Sequence, residues 1–298
     1  KLQWPGQRAE YERRVLEERI PAAQAFAFTN QLDAILLPAK AGGLGIVSAG
    51  KGYSDLLQAL ADAGLALADL QRAGIGVLKV GMIWPLEPKR IRAFARQLQI
   101  VLVIEEKRPF LEDQVKRELY NLPASERPSV VGKTRQDGRV LLAESQTFTA
   151  KQILRALLAV LPSGPLQHRI SAYLQASDGV SKSQLRMNSE LPKRTPYFCA
   201  GCPHNRSTVV PSGSRAGAGI GCHIMAVGTN RRTETFTQMG GEGVHWVGLS
   251  PFNQSEHMFQ NLGDGTYQHS GSLAVRQAVL SGVNITFKVL YNDAVAMT

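Results

Sequence analysis

Two polar residues in the second half of the chain each follow a run that is patterned like a β-strand. Asp264 stands in a Gly-Asp-Gly triplet directly after Met258–Leu262, and Asn292 comes shortly after the run Asn284–Leu290. A helix-patterned stretch separates the two runs, which predicts a strand-helix-strand unit whose strands lie side by side. Residues just past the carboxyl ends of such strands become neighbours. Two oxygen ligands would then meet, and Mg²⁺ prefers oxygen ligands and usually accompanies a phosphate.

The neighbours of Asp264 favour a phosphate at the same place. Gly263 and Gly265 would let backbone N–H groups approach a diphosphate, and a helix beginning near Ser270 would point its positive end there. An isolated Gly-Asp-Gly triplet is more often a tight turn, but the second strand and Asn292 favour the phosphate site. His269 is placed to face whatever binds, with a capping or core role as the alternative.

The three cysteines form a second candidate site. Cys199, Cys202 and Cys222 lie within 24 residues of each other, and the first two form a C-x-x-C turn that brings two thiolates onto one metal centre. His204 and His223 are close in sequence, so a Cys₃His zinc site is a serious alternative. An iron–sulfur centre, a zinc site and a redox dithiol all remain open from the residues alone.

Two acidic segments receive no catalytic role. Glu105-Glu106-Lys107-Arg108 follows a strand-like run, where ligands often bind, but a solvated loop of ion pairs is the favoured interpretation. Glu242 lies in Met239-Gly-Gly-Glu-Gly243 and could act as an acid or base. A lone glutamate beside glycines is more often a helix-start residue.

The elements that must position these residues alternate between strands and helices. Three short apolar runs, Leu44–Val47, Gly76–Val80 and Ile100–Ile104, are each followed by a helix-patterned stretch. This alternation predicts an α/β fold with parallel sheets. We expect four segments: a lead-in helix over residues 1–29 that Pro21 kinks or splits, an α/β domain over 30–163, a linker over 164–195 with a short possible helix near Ile170–Gln175, and a second domain over 196–298.

Composition narrows the class of protein. The chain has 34 Lys plus Arg against 24 Asp plus Glu, a net charge of +10, and 44% hydrophobic residues. Its basic residues are spread out and not concentrated in a stripe, which argues against a nucleic-acid binder. The apolar runs are too short to cross a membrane, and residues 1–19 lack a secretory leader, so we expect a cytoplasmic protein. Because the chain lacks an initiator Met and stops after a strand-like run, we expect a fragment of something longer.

Four motifs in order resemble a known family. Phe198-Cys-Ala-Gly-Cys-Pro-His204, Gly219-Ile-Gly-Cys222, Gly263-Asp-Gly-Thr-Tyr-Gln-His-Ser-Gly271 and Tyr291-Asn-Asp-Ala-Val-Ala-Met-Thr298 are similar to the thiamine-diphosphate-binding domain of 2-oxoacid:ferredoxin oxidoreductases. The resemblance is greatest to the indolepyruvate branch in its large fused bacterial form. The first half of the chain, including Leu44–Lys51, is similar to the transketolase-C-terminal-like domain that precedes it.

The resemblance implies roles for individual residues. Asp264, Asn292 and the carbonyl of Ala294 would bind Mg²⁺, and Cys199, Cys202 and Cys222 would supply three ligands of a [4Fe-4S] cluster whose fourth cysteine lies beyond Thr298. The residues implied to line the diphosphate and thiazolium of thiamine diphosphate, together with Gly263, are Ile220, Gly221, Cys222, His223, Gly265, Thr266, Ala296 and Met297.

The implied reaction is oxidative decarboxylation of a 2-oxoacid, such as indolepyruvate or a similar aryl pyruvate. Electrons would pass through iron–sulfur centres to ferredoxin, and coenzyme A would take the acyl group. The glutamate that activates the cofactor is expected before Lys1, so this chain alone would be inactive, and a homo-oligomer is expected. A non-oxidative thiamine-diphosphate-dependent decarboxylase or carboligase with structural cysteines is the alternative, followed by a zinc-stabilised binding module.

Overall fold

A computed structural model describes the backbone of residues 5–188 and 195–291 and the side chains of residues 6–178 and 195–291. The chain divides into two compact units, Lys1–Glu190 and Leu191–Thr298. Both contain a mainly parallel β-sheet with helices between the strands, so the α/β fold expected from the sequence is confirmed. Within the described ranges, no helix is both long enough and apolar enough to cross a membrane.

The first unit is built on a five-stranded sheet with the order β1-β3-β2-β4-β5. Its strands are Ala34–Leu37 (β1), Leu44–Ala49 (β2), Gly76–Val80 (β3), Ile100–Ile104 (β4) and Ser129–Val131 (β5). Strands β2 to β5 pair in parallel, whereas β1 runs antiparallel to β3. The three strands expected from the apolar runs are therefore confirmed, and the short strands β1 and β5 were not anticipated.

Helices cover both faces of this sheet. The helices are Pro5–Arg14 (α1), Ile20–Thr29 (α2), Gly50–Asp62 (α3), Leu67–Arg72 (α4), Pro88–Ala95 (α5), Phe110–Tyr120 (α6), Ala150–Val160 (α7) and Pro165–Asn188 (α8). Successive strand residues alternate between two cores, as Ile46 and Val47 do. Helices α3, α4, α7 and α8 pack against the first core, and α5 and α6 pack against the second. Burial on both faces explains why these strands read as continuous apolar runs.

The lead-in segment is helical, but its irregularity lies before Pro21. Residues Val15–Arg19 form a π-helical turn in which the Ile20 N–H donates to the Val15 carbonyl. Pro21 directly follows this turn inside continuous helical geometry, because Arg14, Arg19 and Ile20 all have αR backbone angles. Its missing N–H therefore removes one helical hydrogen bond at the point where the π-helical turn ends. The Gln24 side chain donates to the Leu86 carbonyl at 2.8 Å and ties this helix to the sheet domain.

The segment expected to be a linker is instead the 24-residue helix α8. Leu166, Ile170 and Leu174 recur at a spacing of four residues and are buried against the first core. This stripe buries one face of the helix, so tertiary packing outweighs the weak helix propensity of its Ser and Gly residues. The expected short helix near residues 170–175 was only its most apolar turn.

The second unit is built on a four-stranded parallel sheet with the order β7-β6-β8-β9. Its strands are Ala216–Ala218 (β6), Thr233–Phe236 (β7), Met258–Gly263 (β8) and Ile285–Leu290 (β9). Its helices are His204–Ser207 (α9), Val244–Leu249 (α10), Asp264–Thr266 (α11) and Ser272–Ser281 (α12), with 3₁₀ turns at Cys222–Gly228 and Ser250–Phe252 and a π-helical turn at Tyr267–Gly271.

The Gly-Asp-Gly triplet is the start of a helix and not a separate turn. Helical geometry runs without a break from Asp264 through the π-helical turn to Ser281, whereas the sequence predicted a start near Ser270. Gly263 is the last strand residue and is extended, with φ −70° and ψ 146°. The chain therefore passes from strand to helix within one residue, which puts the helix N-terminus directly at the edge of the sheet.

Candidate functional site

The candidate site lies at the carboxyl edge of the second sheet, between β6 and β8. These neighbouring strands pair in parallel, and the chain leaves β6 for β7 on one side but leaves β8 for β9 on the other. Open α/β sheets bind ligands at such a switch point, because the two departing connections leave a crevice above the strand ends. The segments that follow β6 and β8 are Gly219–Cys222 and Asp264–Thr266.

Asp264 is the acidic residue at this edge. Its side chain is buried, and its Oδ1 atom accepts a hydrogen bond from the Gly265 N–H at 2.8 Å. Strands β8 and β9 pair in parallel with Gly263 opposite Leu290, so the residues after each strand lie at the same edge. The side-by-side arrangement expected from the sequence is confirmed. Asn292, Ala294, Ala296 and Met297 lie outside the described residues, so their roles stay predictions.

One buried histidine, His204, lies near Asp264, and a second, His223, lies near the first. His204 begins α9 and His223 follows Cys222, and the two side chains are almost fully buried. Burial lowers the pKa of His204, although the Asp264 carboxylate opposes this shift. Burial, and secondarily the charge of His204, lowers the pKa of His223 to about 4. His204 is therefore within electrostatic range of Asp264 at the end of β8 and of His223 after β6. Both imidazoles are neutral at pH 7.

Several buried polar atoms at this edge lack hydrogen-bond partners. They include Nε2 of His204, both ring nitrogens of His223 and Oγ1 of Thr266. A buried polar atom without a partner costs free energy, so such atoms are rare unless a ligand or water completes them. His223 and Thr266 belong to the segments that follow β6 and β8, and His204 lies near Asp264, so these atoms indicate a site for a polar ligand.

Glu242 is a site residue that the sequence did not identify. It is fully buried and precedes α10 without capping it, so the helix-start interpretation is wrong. Its Oε2 atom accepts from the Gly240 N–H at 2.7 Å, and its Oε1 atom has no partner. Burial raises the pKa of Glu242. Hydrogen bonds from the backbone N–H groups of Glu242 and Gly240, and the charge of His269, oppose this rise.

Glycine at position 219 is required by Glu242. A Cβ on Gly219 would lie 2.3 Å from Oε1 of Glu242, which is far inside contact distance. The glutamate thus packs flat against the first residue after β6. The only sequence signal was the small residues around Glu242, which allow close approach but do not say to what.

The C-x-x-C segment forms the expected turn. The Cys202 N–H donates to the Cys199 carbonyl at 3.1 Å, and the Asn205 side chain donates to both carbonyls, at 3.0 and 3.2 Å. All three cysteines are free thiols, with Cys199 exposed. In the parts of the chain that the structure describes, no three His, Cys, Asp or Glu side chains form a group that could hold a metal ion. The three cysteine thiols therefore do not form one ligand group in these parts of the chain.

Two basic side chains hold the segment that carries the C-x-x-C turn, residues 197–209, which we call the cysteine segment. Arg231 donates to the His204 carbonyl at 3.1 Å and to the Tyr197 hydroxyl at 2.8 Å, and its guanidinium lies 4.9 Å from the Phe198 ring centre. Arg231 thus contacts the cysteine segment both before Cys199 and after Cys202 in sequence.

Lys288 on β9 holds the other end of the same segment. Its Nζ atom donates to the Ser207 carbonyl at 2.6 Å and to the Val209 carbonyl at 3.2 Å. These carbonyls end α9, where a cation is favourable. The segment is therefore fixed to a strand that also leads to the candidate site.

Other residues singled out in the sequence have ordinary roles here. Glu105 is half-buried and accepts hydrogen bonds from the Leu111 and Glu112 N–H groups at the start of α6. Glu106 pairs with Lys51 at 2.9 Å, as the ion-pair interpretation expects. His269 lies exposed in the π-helical turn with Nδ1 2.7 Å from the Ser270 hydroxyl.

The donors at the carboxyl edge fit a phosphate-bearing cofactor with a divalent cation. Asp264 supplies a buried carboxylate with one oxygen uncommitted to Gly265, while Thr266, His204 and His223 supply unpaired polar atoms. A helix N-terminus at Asp264 adds backbone donors. The cysteines, as placed among the described residues, do not fit an iron–sulfur cluster, so no chemical step is assigned to one.

Comparison with known proteins places this fold in a family. A family model of the indolepyruvate ferredoxin oxidoreductase middle domain matches residues 34–191, just over half of the chain. Indolepyruvate oxidoreductase subunit IorA of Thermococcus kodakarensis is 25% identical over 86% of this chain and 39% of its own length. The IorA subunit of Methanothermobacter marburgensis is 24% identical over 96% of this chain and 43% of its own length.

Among solved structures, a 2-oxoglutarate:ferredoxin oxidoreductase from Magnetococcus marinus overlaps this chain loosely. It is 13% identical over 58% of this chain and 24% of its own, with a TM-score of 0.32. The chain spans about two fifths of the length of the curated relatives it matches. The match of the family model over residues 34–191 shows that the chain belongs to the indolepyruvate ferredoxin oxidoreductase family.

Proposed function

We propose that this chain binds thiamine diphosphate and Mg²⁺ within an enzyme that oxidatively decarboxylates a 2-oxoacid, indolepyruvate or a similar aryl pyruvate. The observation that carries the proposal is the buried Asp264 at the switch point of the second sheet, surrounded by unpaired polar atoms. Family membership supports the reaction class, because the family and the IorA relatives are named for oxidoreduction of indolepyruvate.

The residues of this chain have the following proposed roles. Asp264 binds the cation through the oxygen that does not accept from Gly265, and the N–H groups at the helix start bind phosphate oxygens. Thr266 offers a buried hydroxyl to the same group. When bound, thiamine diphosphate would supply the carbanion chemistry that decarboxylation of a 2-oxoacid needs. Burial of Asp264, His204 and His223 keeps bulk water from this place.

The remaining assignments follow from the family resemblance and stay proposals. Asn292 and the Ala294 carbonyl complete the Mg²⁺ site, and the residues proposed to line the cofactor are Ile220, Gly221, Cys222, His223, Gly263, Gly265, Thr266, Ala296 and Met297. Electrons pass to ferredoxin and the acyl group passes to coenzyme A in the intact protein, which we propose to be a cytoplasmic homo-oligomer. A [4Fe-4S] cluster on Cys199, Cys202 and Cys222 needs Cys222 to approach the C-x-x-C turn.

The decisive experiment measures Mg²⁺-dependent binding of thiamine diphosphate to the intact protein. Asp264→Ala should weaken binding by about 100-fold or more, because a carboxylate ligand and a charge-assisted interaction are lost. Glu256→Ala is the matched control, since Glu256 is exposed just before the opposite end of the same strand. Equal affinity of wild type and Asp264→Ala, measured by calorimetry, would refute the proposal. A dye-reduction screen over 2-oxoacids then identifies the substrate.

A second candidate is non-oxidative decarboxylation or carboligation on the same cofactor. The three cysteines do not form one ligand group among the described residues, which favours this candidate, because the thiols would then be structural. Anaerobic reconstitution of the intact protein with iron and sulfide distinguishes the two candidates. Visible absorbance of thiolate-bound iron, with stoichiometric iron, supports the oxidative reaction, and a colourless protein supports the non-oxidative one.

A further inference from the structure

His204 lies next to the C-x-x-C turn in sequence and near the candidate cofactor site in the fold. It stands two positions after Cys202, yet its side chain is 1% exposed and lies within electrostatic range of Asp264 and His223. Its backbone is fixed independently, because its carbonyl accepts from Arg231 and from the Thr208 hydroxyl. The backbone that carries the imidazole is therefore held by contacts within the fold.

The two ring nitrogens of His204 have different surroundings. Nδ1 lies 3.5 Å from the Ser207 hydroxyl, whereas Nε2 is buried without any partner. Ser207 can donate to Nδ1, and a neutral imidazole that accepts at Nδ1 carries its proton on Nε2. This tautomer presents an unused N–H donor. Because Nε2 has no partner, it does not donate to the nearby Asp264 carboxylate. A group bound to Asp264 can therefore supply the acceptor for the Nε2–H donor.

We propose that Nε2 of His204 donates a hydrogen bond to a phosphate oxygen of the diphosphate that Asp264 holds through Mg²⁺. This inference rests on the proposed function. It gives the histidine of the Cys-Pro-His sequence a binding role that does not depend on what the cysteines hold. It also makes His204 the physical link through which the segment of Cys199 and Cys202 contacts the cofactor.

The test uses amide side chains that replace one ring nitrogen at a time in the intact protein. His204→Gln places its amide N–H₂ near the position of Nε2, whereas His204→Asn places its amide near Nδ1. Val209→Ala, at an exposed side chain of the same segment, is the matched control. The probe is thiamine diphosphate with Mg²⁺, titrated by calorimetry, and Mg²⁺-pyrophosphate competition isolates the diphosphate contribution. Circular dichroism and thermal unfolding check that each variant is folded.

We expect His204→Asn to bind thiamine diphosphate and pyrophosphate about 10- to 100-fold more weakly, the loss of one hydrogen bond to a charged group. His204→Gln and Val209→Ala should bind within about threefold of wild type, well inside one hydrogen bond. Equal affinity of all variants, or equal loss in His204→Gln and His204→Asn, overturns the role of Nε2 while the proposed function stands. No Mg²⁺-dependent binding by wild type overturns the proposed function and this inference with it.

Discussion

The buried carboxyl of Glu242 should make the stability of the second unit depend on pH. Burial raises its pKa above the ordinary value of 4.5, so the folded state holds its proton more tightly than the unfolded state does. Below 4.5 both states are protonated, and the contribution of Glu242 to stability is fully present. As pH rises towards the folded-state pKa, only the unfolded state has lost its proton, and stability falls.

One proton sets the size of this effect. Between the two pKa values, the free energy of unfolding should fall by up to about 1.4 kcal/mol per pH unit for this group alone. Glu242→Gln removes the titration and keeps an oxygen that can accept from Gly240. The free energy of unfolding of Glu242→Gln minus that of wild type should therefore increase with pH at this slope. The difference should become constant above the folded-state pKa of Glu242.

Urea unfolding followed by Trp246 fluorescence, with Trp4 and Trp84 replaced by Phe in every variant, is a suitable assay. Trp246 lies four residues after Glu242, is buried, and donates through Nε1 to the Asn284 carbonyl at 3.0 Å, so it reports on the same unit. His269→Gln is a second variant. Its lost positive charge should raise the pKa of Glu242 further and extend the window to higher pH. A stability difference between Glu242→Gln and wild type that stays flat from pH 4.5 to about 8 would refute the reasoning.

Two further predictions test contacts around the site. Gly219→Ala should destabilise the protein by about 1–3 kcal/mol through overpacking against Glu242. Glu242→Ala should offset part of that cost, and a double-mutant cycle of unfolding free energies measures by how much. Strictly additive free energies would contradict the contact. Arg231→Met should speed alkylation of the half-buried Cys202 by about tenfold, because the loss of its hydrogen bonds loosens the segment, whereas Arg232→Met, at the exposed next position, should leave the rate unchanged. Mass spectrometry of iodoacetamide labelling gives both rates, and equal rates would show that Arg231 does not hold the segment.

The strands were predictable where burial on both faces left an unambiguous pattern. Ile100–Ile104 is apolar throughout because both cores contact it, and its position is confirmed. Strands β5 and β6 have three residues each, which is too short for any periodicity to be visible.

Helix α8 and the helix start at Asp264 show where local patterns mislead. Ser and Gly in the second half of α8 are typical of a linker, but Leu166, Ile170 and Leu174 in its first half bury one face against the core. At Asp264, Gly263 and Gly265 suggested a turn, although the chain enters a helix directly from the strand. In both cases long-range packing decides the conformation.

The candidate site was predictable in part. The spacing of two strand-like runs was enough to place Asp264 beside the end of β9, because parallel neighbours share an edge. Glu242 packs against Gly219, 23 positions away, and His204 approaches Asp264, 60 positions away. No periodicity records such contacts, so only the folded chain reveals them.

The hydrogen bonds that Arg231 and Lys288 donate to the cysteine segment have a thermodynamic consequence. Ordering a backbone residue costs about 1–2 kcal/mol in conformational entropy, and here that cost is met when the second unit folds, since both cations contact backbone carbonyls of the segment. Any group that reaches Cys199 and Cys202 meets a turn already in place. Affinity at that turn is then governed by the chemistry of two thiolates and not by the freezing of a loose chain.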